Sequence, residues 1–296
     1  MTTFLRRLAL VAFLLVPSAV RAQGGAPPAP APADSLREVR LRDGSILYGR
    51  VVEESTDRLV LVTTAGVRVE LQRTQVERIR AVSGRQVGDA YWVADPNETR
   101  LFFTSTARPL RKGDGYIAAF ELFLPFVAYG VTDRFTLAGG TPIIPDALGR
   151  LWYLAPKYTV YQGPKASYAV GALGFFLPED VVDDGSFGVL YGAGTWGSTD
   201  RAITAGAGWG YFWASGTSEV SNDPVIMIGG ETRVSRRVKL ITENWISTND
   251  GGDGVISGGV RFIGDRLSAD LGIGGFTGTG TCCLPLVSFV YKFGRN

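Results

Sequence analysis

The residue types that carry most protein chemistry are scarce in this sequence. It contains no histidine, so it lacks the commonest general base and the commonest metal ligand. One acidic pair, Asp183 and Asp184, stands in a loop-like stretch, where such pairs are usually solvated surface residues. We therefore predict no catalytic residue, no cofactor and no metal, and hence no enzyme.

The two cysteines, Cys282 and Cys283, are adjacent in a Gly/Thr-rich stretch. Adjacent positions make an ordinary structural disulfide difficult, because disulfide geometry restricts the backbone. Two ligands without histidine do not make a zinc site. We interpret both as loop cysteines without a metal role.

The charged residues with the most informative spacing alternate with apolar ones. Arg261 stands between Val260 and Phe262, and successive side chains of a strand point to opposite faces. In a membrane barrel an Arg or Lys facing mid-bilayer lipid would cost about 2–4 kcal/mol, so such charges belong inside. The predicted lumen-facing residues are Glu121, Lys157, Glu231, Arg233, Glu243, Arg261, Asp270 and Lys292. They would line a polar pore or, as we favour, pair with one another and fill the interior.

From about Thr99 onward, apolar stretches of about ten residues recur between polar breaks, which is typical of transmembrane β-strands. The 39 glycines fit bent or tilted strands. Twelve strands are predicted near residues 99–106, 115–128, 134–143, 151–161, 165–177, 186–197, 201–213, 224–235, 238–248, 254–263, 266–276 and 285–293.

The connections between these strands predict the orientation of the barrel. From Arg108 onward, long polar connections alternate with tight turns, as external loops and periplasmic turns do in outer-membrane barrels. Both ends of the barrel segment then lie on the tight-turn side. Tyr129, Trp196 and Phe262 beside these turns fit an interfacial aromatic girdle.

The N-terminal part predicts export. Residues 1–22 combine Arg6 and Arg7, a short apolar run and a small-residue cleavage site, which indicates a signal peptide. This segment holds three arginines and no acids, so cleavage changes the net charge from +2 to −1 and favours no nucleic-acid partner. Residues 23–35 form a Pro/Ala-rich linker, residues 36–82 a small β-module, residues 83–98 a connector and residues 99–293 the barrel.

The β-module contains five short β-like runs joined by turn residues such as Asp43-Gly44 and Ala65-Gly66. The sequence from Leu41 to Thr64 resembles Sm-like and SH3-like small barrels. The resemblance implies a five-stranded barrel. An exported copy would not meet RNA, and its mixed charges suit a solvated surface with periplasmic protein or cell-wall contacts.

The C-terminal run from Leu286 to Phe293 resembles the β-signal of bacterial outer-membrane proteins, with Phe289, Tyr291 and Phe293 on one face. Three further residues follow Phe293, whereas the family pattern usually ends on the aromatic residue. The resemblance implies recognition by the barrel-assembly machinery. The segment from Asn97 to Asp133 also resembles uncharacterised bacterial β-barrel proteins, which indicates an architecture and no activity.

Together these features predict an all-β protein in the outer membrane: a small five-stranded barrel in the periplasm, then an antiparallel transmembrane barrel of about 12 strands in contact with lipid. The predicted function is non-enzymatic, either structural or a narrow, porin-like passive pore. A soluble periplasmic all-β binding protein remains an alternative. A membrane-embedded hydrolase is disfavoured because the known families use histidine.

Overall fold

A computed structural model describes residues 36–144, 148–177, 185–249, 253–278 and 281–294. The predicted signal peptide, the linker and the Asp183/Asp184 pair lie outside the described residues. Within the described ranges, no helix has the length and apolar character needed to cross a membrane.

The first element is a five-stranded antiparallel sheet with the order β4-β3-β2-β1-β5. Its strands are β1 (Arg37–Leu41), β2 (Ile46–Glu54), β3 (Arg58–Thr63), β4 (Arg68–Gln72) and β5 (Val76–Ala81). Val39, Leu59, Leu61, Leu71 and Val76 form its buried core. The five predicted strands are confirmed, and the resemblance to Sm-like or SH3-like barrels stays a prediction.

The stretch predicted as a connector contains a hairpin of β6 (Gly84–Val87) and β7 (Ala90–Val93). Tyr91 and Val93 of this hairpin pack on Ile263 of the barrel, and Tyr48 of the sheet packs against the same cluster. The hairpin therefore links the small sheet to the barrel by apolar contacts.

The barrel is a closed antiparallel ring of twelve strands. They are β8 (Gly115–Phe120), β9 (Leu124–Gly130), β10 (Phe135–Gly140), β11 (Trp152–Gln162), β12 (Ala166–Phe176), β13 (Ser186–Gly197), β14 (Arg201–Ala214), β16 (Val225–Ser235), β17 (Val238–Ser247), β18 (Gly254–Ile263), β19 (Leu267–Phe276) and β20 (Leu284–Phe293). Pairing of β8 with β20 closes the ring. The predicted fold class, all-β with about twelve barrel strands, is confirmed.

Two predicted strand boundaries are wrong. Residues 99–106 form turns and bends with a single bridge, Arg100 to Ser105, and belong to no barrel strand. The predicted strand 115–128 is two strands, β8 and β9, joined by the turn 121–123. Glu121 and Leu122 adopt positive φ angles of 51° and 61° in this turn without any Gly, Asn or Asp to signal it. The two errors cancel in the strand count.

A further short strand, β15 (Thr217–Val220), pairs back on β14 within the stretch predicted as a loop. The turn between them contains Ser215 and Gly216, both at positive φ. One long predicted connection is thus partly a hairpin that extends β14.

The connections fall at two ends of the barrel. The tight turns between β9–β10, β11–β12, β13–β14, β16–β17 and β18–β19 define the short-turn end. Gly115 pairs with both Tyr129 and Phe293, so β8 begins and β20 ends at this same end. The opposite, long-loop end carries the longer connections, with the three-residue turn 121–123 as an exception to the predicted alternation.

An ion pair also connects the small sheet to the short-turn end of the barrel. Arg80 hydrogen-bonds Glu38 through its Nε to Oε1 at 2.9 Å and its Nη2 to Oε2 at 2.6 Å. Arg80 also pairs with Asp265 in the tight turn before β19. Burial acts to raise the pKa of Glu38, but the hydrogen bonds and charge of Arg80 hold it below its ordinary value.

Lowering the pH should weaken the ion pair between Glu38 and Arg80. A carboxyl group whose pKa is lowered by folding stabilises the folded state at pH values above its unfolded pKa. This stabilisation is lost as the pH falls through the pKa of the folded state. We expect hydrogen-exchange protection of β1 and β5 to persist as the pH falls past the usual glutamate pKa of about 4.3 and to be lost at lower pH. Glu38→Gln should have the lower protection already at neutral pH. Glu77→Gln, which breaks an exposed pair with Arg40, is the matched control. Equal pH profiles in all three proteins would contradict the assignment.

Candidate functional site

The barrel lumen is occupied by the chain itself. Residues 94–110, here called the inserted segment, precede β8 and touch the buried faces of strands around the ring. Ala107 N donates to Thr195 Oγ1 of β13, and Leu110 N donates to Thr136 Oγ1 of β10. The inserted segment also contacts β11, β16, β17, β18 and β19. A segment that meets the inward faces of so many strands of a closed ring lies within it.

Apolar packing anchors the middle of the inserted segment. Leu101 and Phe102 are buried and pack on Met227 of β16 and Ile241 of β17. Gly272 of β19 lies against Phe102, where an added Cβ would approach Cζ to 3.0 Å. Its lack of a side chain gives Phe102 the space that it occupies.

A buried ion cluster holds the start of the inserted segment. Lys239 of β17 is fully buried, and its Nζ donates to Asp95 Oδ2 at 2.5 Å and to Glu231 Oε2 at 2.8 Å. A third bond runs to the carbonyl of Thr199 at 2.8 Å. Arg108 of the inserted segment pairs with the other oxygen of Glu231 at 2.5 Å. Both ends of the inserted segment are therefore fixed through the same carboxylate.

Arg261 of β18 makes the most contacts with the inserted segment. Its guanidinium is fully buried and pairs in a bidentate manner with Asp270 of β19, at 2.7 and 2.8 Å. Its Nη1 and Nη2 also donate to backbone carbonyls of Asn97 and Leu101, at 2.7 and 2.8 Å. A further contact of 3.2 Å reaches Asp95. One side chain thereby neutralises carboxylates and satisfies backbone acceptors that burial would otherwise leave without partners.

Glu243 of β17 receives donors from the bend of the inserted segment. The backbone N–H groups of Phe103 and Thr104 donate to its carboxylate, at 3.0 and 3.1 Å. The Thr104 hydroxyl and Trp245 Nε1 donate to Oε1 at 2.7 and 2.9 Å. The carboxylate thus has four donor groups and needs no counter-cation.

Lys157 of β11 contacts the opposite side of the inserted segment. Its Nζ donates to Ser105 Oγ at 2.6 Å and to the carbonyls of Thr106 and Arg108 at 2.8 and 2.7 Å. The ammonium has three donors, and all three have partners. Lys157 and Glu243 therefore hold the inserted segment from two sides of the ring.

The other predicted lumen residues lie nearer the two ends of the barrel. Arg233 pairs with Asp200 at 3.4 Å, and Lys292 approaches Asp114 at 3.9 Å, both at the short-turn end. Glu121 lies in the turn 121–123 at the long-loop end and accepts from Val287 N at 3.0 Å. These three side chains do not join the buried ion cluster.

Sequence reasoning missed three members of the cluster: Asp95, Arg108 and Lys239. Lys239 had a usable signal, because it shares the inward face of β17 with Ile241 and Glu243. Asp95 and Arg108 had none, since the inserted segment has no strand periodicity.

Above the inserted segment, toward the long-loop end, the lumen holds a cavity of about 510 Å³. Aromatic and aliphatic side chains dominate its wall, among them Tyr116, Phe126, Tyr153, Phe175, Tyr191 and Trp245. Residues 99–105 of the inserted segment contribute most of one side. The lumen is thus filled in one half and hollow in the other.

The outer surface of the ring is apolar. Each of the twelve strands exposes at least one large hydrophobic side chain: Ile117, Val127, Leu137, Val160, Val170, Leu190, Ile203, Ile228, Leu240, Ile256, Leu271 and Phe289. Ile203, for example, is 60% exposed, whereas Arg261 is 0% exposed. Within the twelve strands, all of which the structure describes, the exposed charge is Arg201, the first residue of β14.

Comparisons with solved structures find other β-barrels. A KdgM porin in complex with disordered oligogalacturonate matches with a TM-score of 0.44 and 9% identity, over 61% of this chain and 98% of that one. OmpT lacking loop L8, an outer-membrane protein of Vibrio cholerae, matches with a TM-score of 0.38 and 12% identity, over 87% of this chain and 96% of that one. A NanC porin matches with a TM-score of 0.37 and 11% identity, over 62% and 99% of the two chains. The similarity assigns no function. No protein-family model and no curated protein matches the sequence.

The aromatic residues predicted at the interface are exposed near the short-turn end. Tyr129, Trp196 and Phe262 are each one residue from the end of their strands. Trp196 Nε1 donates to the hydroxyl of Tyr168 at 3.1 Å. Of the residues in the predicted C-terminal β-signal, Phe289 and Tyr291 are exposed on the outer face of β20, and Phe293 ends that strand.

Cys282 and Cys283 lie in a loop, as predicted. Cys282 and Cys283 are joined by a disulfide just before β20. Cys283 has a φ of 66°, in the left-handed region. The sequence did not predict this vicinal pairing.

Proposed function

We propose that the protein is a non-enzymatic outer-membrane β-barrel whose lumen is closed by its own residues 94–110. The observation that carries this proposal is the buried ion cluster. Three cations, Arg108, Lys239 and Arg261, meet Asp95, Glu231 and Asp270 across the interface between the inserted segment and the ring. Removing one partner from such a buried pair is strongly destabilising, because it leaves an uncompensated charge in the interior.

The outer face supports a membrane location. Large apolar side chains exposed on every strand have no stable place in water, since soluble proteins rarely show apolar patches of more than a few hundred Å². The soluble periplasmic binding protein therefore receives less support than the membrane barrel. Aromatic residues near the short-turn end suit the lipid headgroup region.

The positions of the short turns support one orientation in the membrane. With the short turns in the periplasm, the sheet Arg37–Ala81 would lie there as well, because it contacts Asp265 at the short-turn end. Partners of this sheet would then be periplasmic proteins or the cell wall. The exposed Phe289 and Tyr291 of β20 suit recognition by the barrel-assembly machinery.

The closed lumen distinguishes this proposal from a passive pore, the other function that such a barrel would perform. A conducting pore requires a continuous aqueous path, and the inserted segment lies across the lumen with apolar and paired side chains. We therefore expect a barrel that holds its shape in the membrane and does not conduct ions in this state.

Two measurements test the proposal. The membrane fraction should yield a protein whose gel mobility changes on boiling, as folded barrels resist denaturant until heated. In a planar lipid bilayer the purified wild-type protein should give no steady openings, with a known general porin as the positive control. Steady wild-type openings would favour the pore, and extraction by carbonate without detergent would favour the soluble protein.

A further inference from the structure

The cavity above the inserted segment has an unbalanced charge. Three charged side chains line it: Arg100, Lys157 and Glu243. Lys157 has its three acceptors and Glu243 its four donor groups, as described above. Arg100 is 4% exposed and makes no ion pair among the described residues. The cavity wall therefore carries one guanidinium that no carboxylate neutralises.

The hydrogen bonds of Arg100 are also incomplete. Its Nη2 donates to the carbonyl of Phe102 at 2.7 Å, and its Cζ lies 4.5 Å from the ring centre of Phe126. Its Nη1 is buried and has no hydrogen-bond partner. The hydroxyl of the adjacent Thr99, which also lines the cavity, is buried without a partner too. A buried donor without an acceptor is costly, and more so when it belongs to a charged group.

We propose that this cavity binds a small molecule with an apolar body and one anionic group, and that the anionic group pairs with Arg100. A planar carboxylate matches a guanidinium in geometry and charge. The aromatic wall would bury the apolar body, and a volume of about 510 Å³ falls in the range of pockets that enclose small molecules. A cation is disfavoured by the unneutralised positive charge.

This inference goes beyond the proposed function, because a closed barrel needs no ligand. Its chemistry also differs from that of a passive pore, whose lumen is lined by polar groups. Binding would make the long-loop half of the lumen a receptor for an apolar anion, with the inserted segment as the floor of the site.

The test is calorimetric titration of the full protein in phosphatidylcholine nanodiscs with 2-naphthoate, after subtraction of empty nanodiscs. The neutral 2-naphthamide is the matched ligand. We expect naphthoate to bind the wild type and Arg100→Gln to weaken it by at least about tenfold, the effect of losing one charged hydrogen bond. Naphthamide should show a much smaller difference between the two proteins. Arg201→Gln, at the exposed start of β14, should leave naphthoate binding unchanged.

A second variant protects the test against misfolding of Arg100→Gln. Ala155→Trp places a bulky ring in the cavity wall on β11 while keeping Arg100, and should abolish binding of both ligands. Absence of naphthoate binding to the wild type, or equal affinity in the wild type and Arg100→Gln, would overturn the proposal. Equal affinity of the wild type for naphthoate and naphthamide would also overturn it. None of these outcomes depends on conductance, so the closed-barrel proposal is tested separately.

Discussion

Replacing Arg261 by Met should convert the closed barrel into a conducting one. The change removes the bidentate partner of Asp270, a contact to Asp95 and the donors to the carbonyls of Asn97 and Leu101. Breaking a buried pair by removing one partner costs about 3–5 kcal/mol, and here the cost falls on the interface with the inserted segment. We expect steady single-channel openings in planar bilayers, where the wild type gives none.

The control for this experiment is Arg201→Met. It removes the same charge from an exposed side chain on the outer face of the barrel, at the start of β14. It should stay closed. If Arg261→Met folds, as judged by heat-modifiable gel mobility, and remains closed, the inserted segment is not held in the way described here.

Replacing Lys239 by Met should cause a large loss of stability. The ammonium is fully buried between Asp95 and Glu231, so its removal leaves two carboxylates in the lumen with less positive charge. The free energy of unfolding should fall by about 3–5 kcal/mol, measured by urea denaturation of the protein in lipid vesicles.

A double variant separates the missing pair from a packing defect. In Lys239→Met with Glu231→Gln, one of the unpaired carboxylates is neutral, and part of the lost stability should return. Lys292→Met is the matched control, because Lys292 is partly exposed and its ion pair with Asp114 is long, at 3.9 Å. That change should cost less than about 1 kcal/mol. A similar loss from both lysine substitutions would show that burial of the pair is not the cause.

Strand limits and strand faces could be predicted from the sequence wherever apolar and small or polar side chains alternate. In β14 the apolar residues from Ile203 to Tyr211 alternate with glycines and Thr204, and this pattern fixed both the strand and its outer face. The strands Ser186–Gly197 and Gly254–Ile263 match their predicted limits. Alternation works here because the outer surface of the barrel and its crowded lumen impose different demands on neighbouring residues.

Features without alternation could not be predicted in the same way. Residues 99–106 are as apolar as a strand, and only contact with the complete ring decides that they lie inside it. The turn at Glu121 and Leu122 uses residues that normally avoid positive φ, so nothing marks it before β20 is known to pair there. The prediction that inward charges pair with one another was incomplete, because half of the cluster's cations and carboxylates had not been recognised as neighbours.

The position of the inserted segment next to β8 has a consequence for assembly. β8 is one of the two strands at the seam where the first and last parts of the barrel meet, and it follows the inserted segment directly in the chain. If β8 and β20 paired first, residues 94–110 with their buried charges would have to enter an already closed barrel through one of its open ends. This problem is avoided if β16 to β19 bind the inserted segment first and β8 pairs with β20 last. Closure of the barrel and closure of its lumen would then be a single step.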